Sequence, residues 1–201
     1  MTVLDYHTYE KPPAAGQPVV FAFHGTGGNE MQFAELIVQI LPGAGIVSPR
    51  GDVSEHGALR FFRRTGEGVY DMDDLAARTE KMAAFIEKKK AEWPGHPVYG
   101  LGYSNGANIL ASVLMQRPDL FDRAALLHPL IPWAPDDNAG LKGREILITA
   151  GEHDPICPLP LTERLSGFFE RQGARLQTSI HPGGHEIRQT ELQALGAFLS
   201  R

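Results

Sequence analysis

The feature that most constrains the fold is the alternation, along the whole chain, of short apolar runs with longer helical patterns. The runs are bounded by Gly and Pro, which is typical of buried β-strands. Strand and helix patterns in alternation favour an α/β fold, with a mostly parallel central sheet and helices on both faces. The predicted strands are Val19–Phe23, Gly45–Val47, Val98–Leu101, Ala124–Leu127, Ile146–Ala150 and Leu176–Ile180.

The helical patterns lie between these runs, and Met72–Trp93 is the clearest of them. Its inward-facing residues recur at helical spacing, as expected for one buried stripe. Aspartates at its start and lysines at its end complement the helix dipole, and Pro94 and Gly95 follow its end. The other predicted helices are Asn29–Ile40, Asn105–Gln116, Leu161–Gln172 and Glu186–Ser200.

Length and composition narrow the class of protein. The 201 residues contain no repeat, low-complexity tract or linker, so one domain over residues 1–201 is predicted. The net charge of -5 and the lack of an Arg/Lys stripe argue against nucleic acid as a partner. Such a charge suits a neutral small substrate better than a polyanion.

The N-terminal segment and the cysteine count bear on location. Met1–Glu10 lacks the basic and apolar regions of a signal peptide. The longest clear apolar run near it, Val19–Phe23, is far shorter than the ~20 residues that span a bilayer. Cys157 is the single cysteine, which excludes an internal disulfide and a thiolate metal cluster. A cytoplasmic protein is therefore predicted.

The most informative motif is Gly102-Tyr103-Ser104-Asn105-Gly106. It is not a dinucleotide fingerprint, because Asn105 occupies the third glycine position, and the chain has no P-loop. It does fit G-x-S-x-G between a strand and a helix, which is the context of a nucleophile elbow. Glycines two residues either side of Ser104 leave room for the tight turn. The alternative is a plain helix cap by Ser or Asn; the flanking strand and helix favour Ser104 as the nucleophile.

A serine hydroxyl needs a base and a carboxylate that orients it. In the α/β-hydrolase fold these follow in the order Ser, Asp or Glu, His, each in a loop after a later strand. Asp154 and His185 fit that order, and Glu152 and His181 compete with them. Asp154 is favoured because it lies further beyond its strand, and His185 because Gly183 and Gly184 precede it. Three further histidines, His24, His128 and His153, are interpreted as structural, like His181. No metal is predicted, since the spacing of the eight histidines matches no metal motif.

A glycine-rich loop follows the first predicted strand, as His24-Gly25-Thr26-Gly27-Gly28. Such a loop can place a backbone N–H beside the elbow. The N–H groups of Thr26 and Asn105 are therefore the predicted oxyanion-hole donors. Each would contribute ~3 kcal/mol of transition-state stabilisation.

Five segments together resemble the phospholipase/carboxylesterase family of α/β-hydrolases, which also holds the acyl-protein thioesterases. They are His24–Gly28, Ser48–Gly51, Arg60–Arg64, Gly102–Asn108 and Asp154–Pro158. The likeness is greatest to small bacterial carboxylesterases and covers about Val19 to the C-terminus. It implies the same triad and oxyanion hole, short or medium acyl esters, thioesters or lysophospholipids as substrates, and often a homodimer. Thr26 stands where acyl-protein thioesterases typically have Leu, which argues against the protein-deacylating subtype.

The pocket and its chemistry complete the prediction. Only 18 residues separate Leu127 from Ile146, which leaves no room for a cap domain, so the site should be open. Phe62 and Ile156, with Phe61 and Tyr70, are candidates to line it, and Arg60, Arg63 and Arg64 are either an anion site or a salt-bridged cluster. The predicted activity is cofactor-free hydrolysis of small carboxylic esters. The alternatives are a thioesterase or lysophospholipase, and a catalytically silent binding protein.

Overall fold

The computed structural model describes residues 5–201 and contains a seven-stranded sheet. Its strands are β1 (Thr8–Lys11), β2 (Val19–Phe23), β3 (Gly45–Pro49), β8 (Val98–Tyr103), β9 (Arg123–Leu127), β10 (Glu145–Gly151) and β11 (Arg175–His181). They lie in the order β1-β3-β2-β8-β9-β10-β11. Only β1 is antiparallel to its neighbour. The predicted α/β fold with a mostly parallel sheet is confirmed.

Two small antiparallel hairpins lie outside this sheet, between β3 and β8. The first pairs β4 (Val53–Glu55) with β5 (Ala58–Arg60), and the second pairs β6 (Arg64–Gly66) with β7 (Val69–Tyr70). The sequence analysis did not predict these strands or β1. Each is two to four residues long, too short for an apolar run or an alternation to stand out.

The helices cover both faces of the sheet. They are α1 (Ala34–Ile40), α2 (Met72–Lys90), α3 (Asn105–Gln116), α4 (Leu159–Arg171) and α5 (Gln189–Leu199). Side chains of α2, α3 and α4 pack in one apolar cluster with Phe21 and Phe23 of β2. Those of α1 and α5 pack in a second cluster with Val20 and Ala22 of the same strand. The alternation along β2 therefore divides the core into two layers.

Helix boundaries differ from the predicted ones where side chains or proline compete with helical hydrogen bonds. Helix α1 begins at Ala34 instead of Asn29, because the Asn29 side chain accepts a hydrogen bond from the Met31 N–H at 2.9 Å and holds a turn. Helix α2 ends at Lys90, before the turn that leads to Pro94. Helix α3 has the predicted bounds.

The connection from β9 to β10 contains only one short 3-10 turn, Ala139–Leu141. The prediction that the fold carries no cap domain is therefore confirmed at this position. Among residues 5–201, no helix combines the length and the apolar character that crossing a bilayer requires. The prediction that no signal peptide is present falls partly on residues 1–4, which lie outside the described residues.

A close backbone contact fixes the start of α3 against the sheet. A Cβ added at Gly106 would stand against the carbonyl oxygens of Phe23 and His24 at the end of β2. Gly196 in α5 offers a contrast, since the nearest heavy atom to an added Cβ there is Ile40 Cγ2 at 3.8 Å, an ordinary contact.

We expect Gly106→Ala to destabilise the fold and Gly196→Ala to be neutral or stabilising. At Gly106 the backbone of β2 or α3 must move, and such overpacking costs about 1–3 kcal/mol. At Gly196 the alanine improves helix propensity by up to about 1 kcal/mol. Urea unfolding of both variants at pH 7 measures the two free energies. Equal stabilities would contradict the assigned contact.

Candidate active site

The carboxyl ends of five parallel strands meet at one edge of the sheet. The loops that follow β2, β8, β9, β10 and β11 bring together Thr26, Ser104, His128, Asp154 and His185. Strand β8 lies beside β2, where the strand order reverses, and in open α/β sheets ligands bind at such a reversal.

The turn between β8 and α3 presents the Ser104 hydroxyl. Ser104 has φ 52° and ψ -119°, which is a strained conformation for a residue with a side chain. A Cβ added at Gly102 would stand 2.5 Å from the Gly106 carbonyl oxygen. The turn therefore requires glycine at Gly102 and Gly106 for lack of space, the reason given for the motif from sequence.

Ser104, His185 and Asp154 form a continuous line of hydrogen-bonded side chains. Ser104 Oγ lies 2.9 Å from His185 Nε2, and His185 Nδ1 lies 2.7 Å from Asp154 Oδ2. The Tyr103 hydroxyl donates to the His185 carbonyl oxygen at 2.7 Å, and the two rings are 5.3 Å apart. The imidazole is thus held between the hydroxyl and the carboxylate.

The residues that competed for these positions lie elsewhere. Glu152 is exposed, and its backbone N–H donates to the His181 carbonyl oxygen. His181 is buried on the far side of His128, beside Glu191. The loops after β10 and β11 are in close contact, because a Cβ at Gly151 would meet the carbonyl oxygens of Gly183 and Gly184.

The Asp154 carboxylate is buried and accepts four hydrogen bonds. Its Oδ1 accepts from the N–H groups of Ile156 and Cys157, both at 2.8 Å. Its Oδ2 faces His185 and also His128 Nδ1 at 2.9 Å. Burial disfavours the charged form, but these hydrogen bonds outweigh it and hold the pKa of Asp154 below its usual value. The carboxylate is therefore ionised at neutral pH.

The two predicted oxyanion-hole residues lie at the cavity beside Ser104. Thr26 and Asn105 both line this cavity, and neither N–H donates to another of the described residues. Their side chains are anchored, since Thr26 Oγ1 accepts from Arg60 Nη1 at 2.7 Å and Asn105 Oδ1 accepts from the Phe61 N–H at 2.8 Å. The two donors are thus fixed before any ligand binds.

The histidine at the start of the glycine-rich loop holds that loop against β3. His24 Nε2 accepts a hydrogen bond from the Gly51 N–H at 2.9 Å, so His24 Nδ1 carries the proton and donates to the Gly25 carbonyl oxygen at 2.7 Å. Burial lowers the pKa of His24. The neutral imidazole has a structural role, as interpreted from the sequence.

The cavity in front of Ser104 has a volume of about 270 Å³. Ile156 and Tyr70 line it, as predicted. Phe62 does not: it is fully buried and packs edge-on against the Tyr70 ring at 4.8 Å, and Phe61 is buried next to Phe23 and His24. The prediction that Phe62 contacts the substrate is wrong, because the Tyr70 ring, against which Phe62 packs, lines the cavity in its place.

The three arginines of the Arg60–Arg64 segment have different surroundings. Arg63 is exposed and pairs with Asp71 and Asp74, away from the cavity. Arg60 and Arg64 both line the cavity and share the carboxylate of Glu55, at 3.5 Å and 3.0 Å.

His128 is the site residue that the sequence analysis missed. It was interpreted as structural, yet it contacts Asp154 directly and is fully buried, whereas His153, interpreted in the same way, is exposed. The available signal was its place immediately after a buried strand, the same place that Ser104 occupies after β8.

Two groups of side chains within the described chain have the composition of a metal site. They are His128, His181 and Glu191, and His128, Asp154 and His185. In both groups nitrogen and oxygen atoms approach each other directly, at 2.7 to 2.9 Å. The contacts of His128 and His185 are hydrogen bonds, whereas His181 Nε2 lies 2.9 Å from Glu191 Oε2 without hydrogen-bond geometry.

Comparison with known proteins identifies the class. Residues 14–144 match the family described as serine aminopeptidase, S33. The putative hydrolase MhqD of Bacillus subtilis (strain 168) is 36% identical over 189 residues, covering 93% of this chain and 94% of that protein. The chain is therefore a hydrolase of the α/β-hydrolase fold.

Solved structures narrow the family. The protein Atu2452 of Agrobacterium tumefaciens str. C58, of unknown function, is 52% identical with a TM-score of 0.91, over 97% of this chain and 96% of that one. The Bacillus cereus carboxylesterase is 32% identical with a TM-score of 0.91, over 96% and 93% of the two chains. The chain belongs to the matched family of α/β-hydrolases, and its similarity to solved bacterial carboxylesterases agrees with the resemblance that its motifs indicated.

We expect the Cys157 thiol to be unreactive in the folded protein. Cys157 is 2% exposed and its Sγ donates to the His128 carbonyl oxygen at 3.2 Å. Burial raises the pKa of this thiol well above its usual value, so little thiolate forms. Ellman's reagent at pH 8 should release no colour from the native protein and one equivalent in guanidinium chloride. Rapid reaction of the native protein would contradict this burial, and Cys157→Ser gives the background.

Proposed function

We propose that this protein is a serine hydrolase that cleaves short- to medium-chain carboxylic esters through an acyl-enzyme intermediate. The observation that carries the proposal is the line of hydrogen bonds from Ser104 Oγ to His185 to Asp154. A base within hydrogen-bond reach of the hydroxyl, and a carboxylate that orients the base, are what nucleophilic catalysis by serine requires. The similarity to bacterial carboxylesterases supports an ester as the substrate.

In the proposed mechanism, His185 removes the Ser104 proton as Ser104 attacks the ester carbonyl carbon. Asp154 holds the imidazole with Nδ1 protonated and stabilises the imidazolium that forms. The N–H groups of Thr26 and Asn105 donate to the oxyanion. His185 then gives its proton to the departing alcohol, and water activated by His185 releases the acid from Ser104. The sequence-based expectation of a cofactor-free reaction is part of this proposal.

The cavity favours small substrates. With about 270 Å³ in front of Ser104 and no cap over the β9–β10 connection, a short acyl chain has walls to contact and a long one extends into solvent. A thioesterase or lysophospholipase activity remains an alternative on the same residues. A silent binding protein is the alternative of another class; the intact hydrogen-bonded line argues against it.

We expect a fluorophosphonate probe to label the wild type and Ser54→Ala but not Ser104→Ala. Ser54 is an exposed serine on β4 and serves as the matched control. Hydrolysis of p-nitrophenyl butyrate should fall by on the order of 10⁴-fold or more in Ser104→Ala. No labelling of the wild type would support the silent binding protein instead.

A substrate panel separates the activities. The wild type should give a higher kcat/KM for p-nitrophenyl butyrate than for an acyl-CoA, lysophosphatidylcholine or an aminoacyl p-nitroanilide. A preference for the thioester or the lysolipid would replace the carboxylesterase assignment with the corresponding alternative. The anilide tests the peptidase activity that the description of the matched family names.

Charged side chains on the cavity wall indicate which esters the site would prefer. Arg60 and Arg64 share one carboxylate, Glu55. Within residues 5–201, Arg64 Nη1 and Nη2 make no hydrogen bond, since only its Nε contacts Glu55. The one acidic residue on the cavity lining, Glu67, is exposed at the tip of the β6–β7 hairpin, where solvent screens it. We propose that this wall favours esters whose acyl chain carries a carboxylate.

We expect Arg64→Met to lower the preference for a carboxylate-bearing ester about 10-fold, the value of a charge-assisted hydrogen bond at a partly exposed site. The measurement is the ratio of kcat/KM for a p-nitrophenyl succinate half-ester and for p-nitrophenyl butyrate. Arg63→Met is the matched control, because Arg63 pairs with Asp71 outside the cavity, and it should keep the ratio. Equal ratios in all three proteins would refute the anionic preference and leave the esterase proposal intact.

A further inference from the structure

Behind the proposed catalytic line lies a second, fully buried line of charged side chains. His128, at the end of β9, has no exposed surface, and its Nδ1 is 2.9 Å from Asp154 Oδ2. Its other nitrogen, Nε2, is 2.9 Å from Glu191 Oε1 in α5. Each ring nitrogen of His128 thus faces a carboxylate oxygen.

This geometry determines the protonation state. An ionised carboxylate only accepts hydrogen bonds, and an imidazole donates from both nitrogens only as the cation. Burial of two carboxylates without a positive charge between them would be costly. The alternative, a protonated Glu191 that donates from Oε1 to a neutral His128, is disfavoured because Glu191 Oε2 also accepts from the Arg188 N–H at 2.7 Å, and such a hydrogen bond is stronger when the acceptor is an ionised carboxylate.

The surroundings of His128 agree with the cation. Burial alone would lower the pKa of His128, but Glu191 and Asp154 outweigh it and raise the pKa above its ordinary value. Burial likewise opposes the ionisation of Glu191, but its hydrogen bonds, first of all the one from His128, together outweigh burial and lower the pKa of Glu191. Other titratable groups packed around the ring are Tyr103 on β8, Cys157, His181 on β11 and His185.

The backbone at His128 is held in an unusual conformation. Its φ of 50° lies in the left-handed region, which is unfavourable for a residue with a side chain and occurs where the surrounding structure enforces it. The His128 N–H donates to the Thr149 carbonyl oxygen at 3.0 Å. This strain turns the ring toward Asp154 and Glu191.

We propose that His128 is a positioning residue, held as an imidazolium between Asp154 and Glu191, that orients Asp154 and places a positive charge beside His185. The proposal rests on the proposed function in assigning His185 as the base. His128 does not line the cavity, so it acts on the reaction through Asp154 and His185 and not by contact with the substrate. Its positive charge, with the rings 5.2 Å apart, disfavours a second positive charge on His185.

The consequence is a pH dependence that can be measured. Loss of the nearby positive charge makes Asp154 a stronger acceptor and favours the charged form of His185. The base is then active only at higher pH. The acidic limb of the kcat/KM profile, which reports the base of the free enzyme, should move upward by about one pH unit.

The variant that tests this is His128→Gln combined with Glu191→Gln, because the single change at His128 would leave Glu191 buried and unpaired. We expect kcat to fall about 10- to 100-fold as Asp154 loses its fixed orientation, KM to change by less than about twofold, and the acidic limb to move up. His181→Gln is the matched control, since His181 Nε2 lies 2.9 Å from the other oxygen of Glu191 and does not touch Asp154. The His181→Gln variant should keep the acidic limb of its kcat/KM profile at the wild-type pH.

An unchanged acidic limb in a folded double variant would overturn the proposal and leave His128 with a merely structural role. A second measurement does not depend on activity or on the variant's folding. In ¹⁵N-histidine spectra of the wild type, His128 should show two protonated ring nitrogens throughout pH 5.5 to 9. A single protonated nitrogen at neutral pH would refute the imidazolium. If the wild type hydrolyses no ester, the proposed function fails, and these spectra still decide the state of His128.

Discussion

The tight turn at Ser104 is the constraint on which the rest of the active-site region depends. Its strained backbone, with φ 52°, is possible only because Gly102 and Gly106 let strand and helix approach within contact of each other and of the carbonyl oxygen of Phe23. The same approach directs the hydroxyl toward His185 and places the Asn105 N–H beside it. Packing of the sheet and geometry of the site are therefore set by the same few atoms.

The buried charges at this site extend beyond Ser104, His185 and Asp154 to His128 and Glu191. Asp154 and Glu191 carry two negative charges in a dry environment, and the histidine between them contacts both at 2.9 Å. A buried ion pair contributes little to stability when compared with apolar packing. The arrangement of His128 between two carboxylates is therefore better explained by the orientation of Asp154 and the proton affinity of the site than by a contribution to stability. Helix α5 supplies Glu191 from its first turn and is therefore part of the site.

Local charge at the cavity is distributed differently from the charge of the whole protein. The net charge of -5 argued for neutral substrates, but the wall beside Ser104 holds two arginines that share Glu55, and the acidic residue on the lining, Glu67, is exposed. Charges within a few ångströms of a ligand act with little screening, whereas those beyond a Debye length of about 8–10 Å are largely screened by salt. The charged residues nearest the bound substrate, which the β4–β7 hairpins supply, therefore affect its binding more than the net charge of the protein does.

The sequence by itself determined the order of six strands and five helices, the tight turn at Ser104 and the loops that carry Asp154 and His185. These depend on local patterns: apolar runs of strand length, glycines around Ser104 and the fixed order of loops after successive strands. Tertiary structure alone decided that Phe62 packs against Tyr70 away from the cavity lining and that Arg64 lines the cavity while Arg63 does not. It also decided that His128 contacts both Asp154 and Glu191, the latter 63 residues away in sequence. Such contacts arise from the packing of distant segments, and no spacing along the chain encodes which side chains meet.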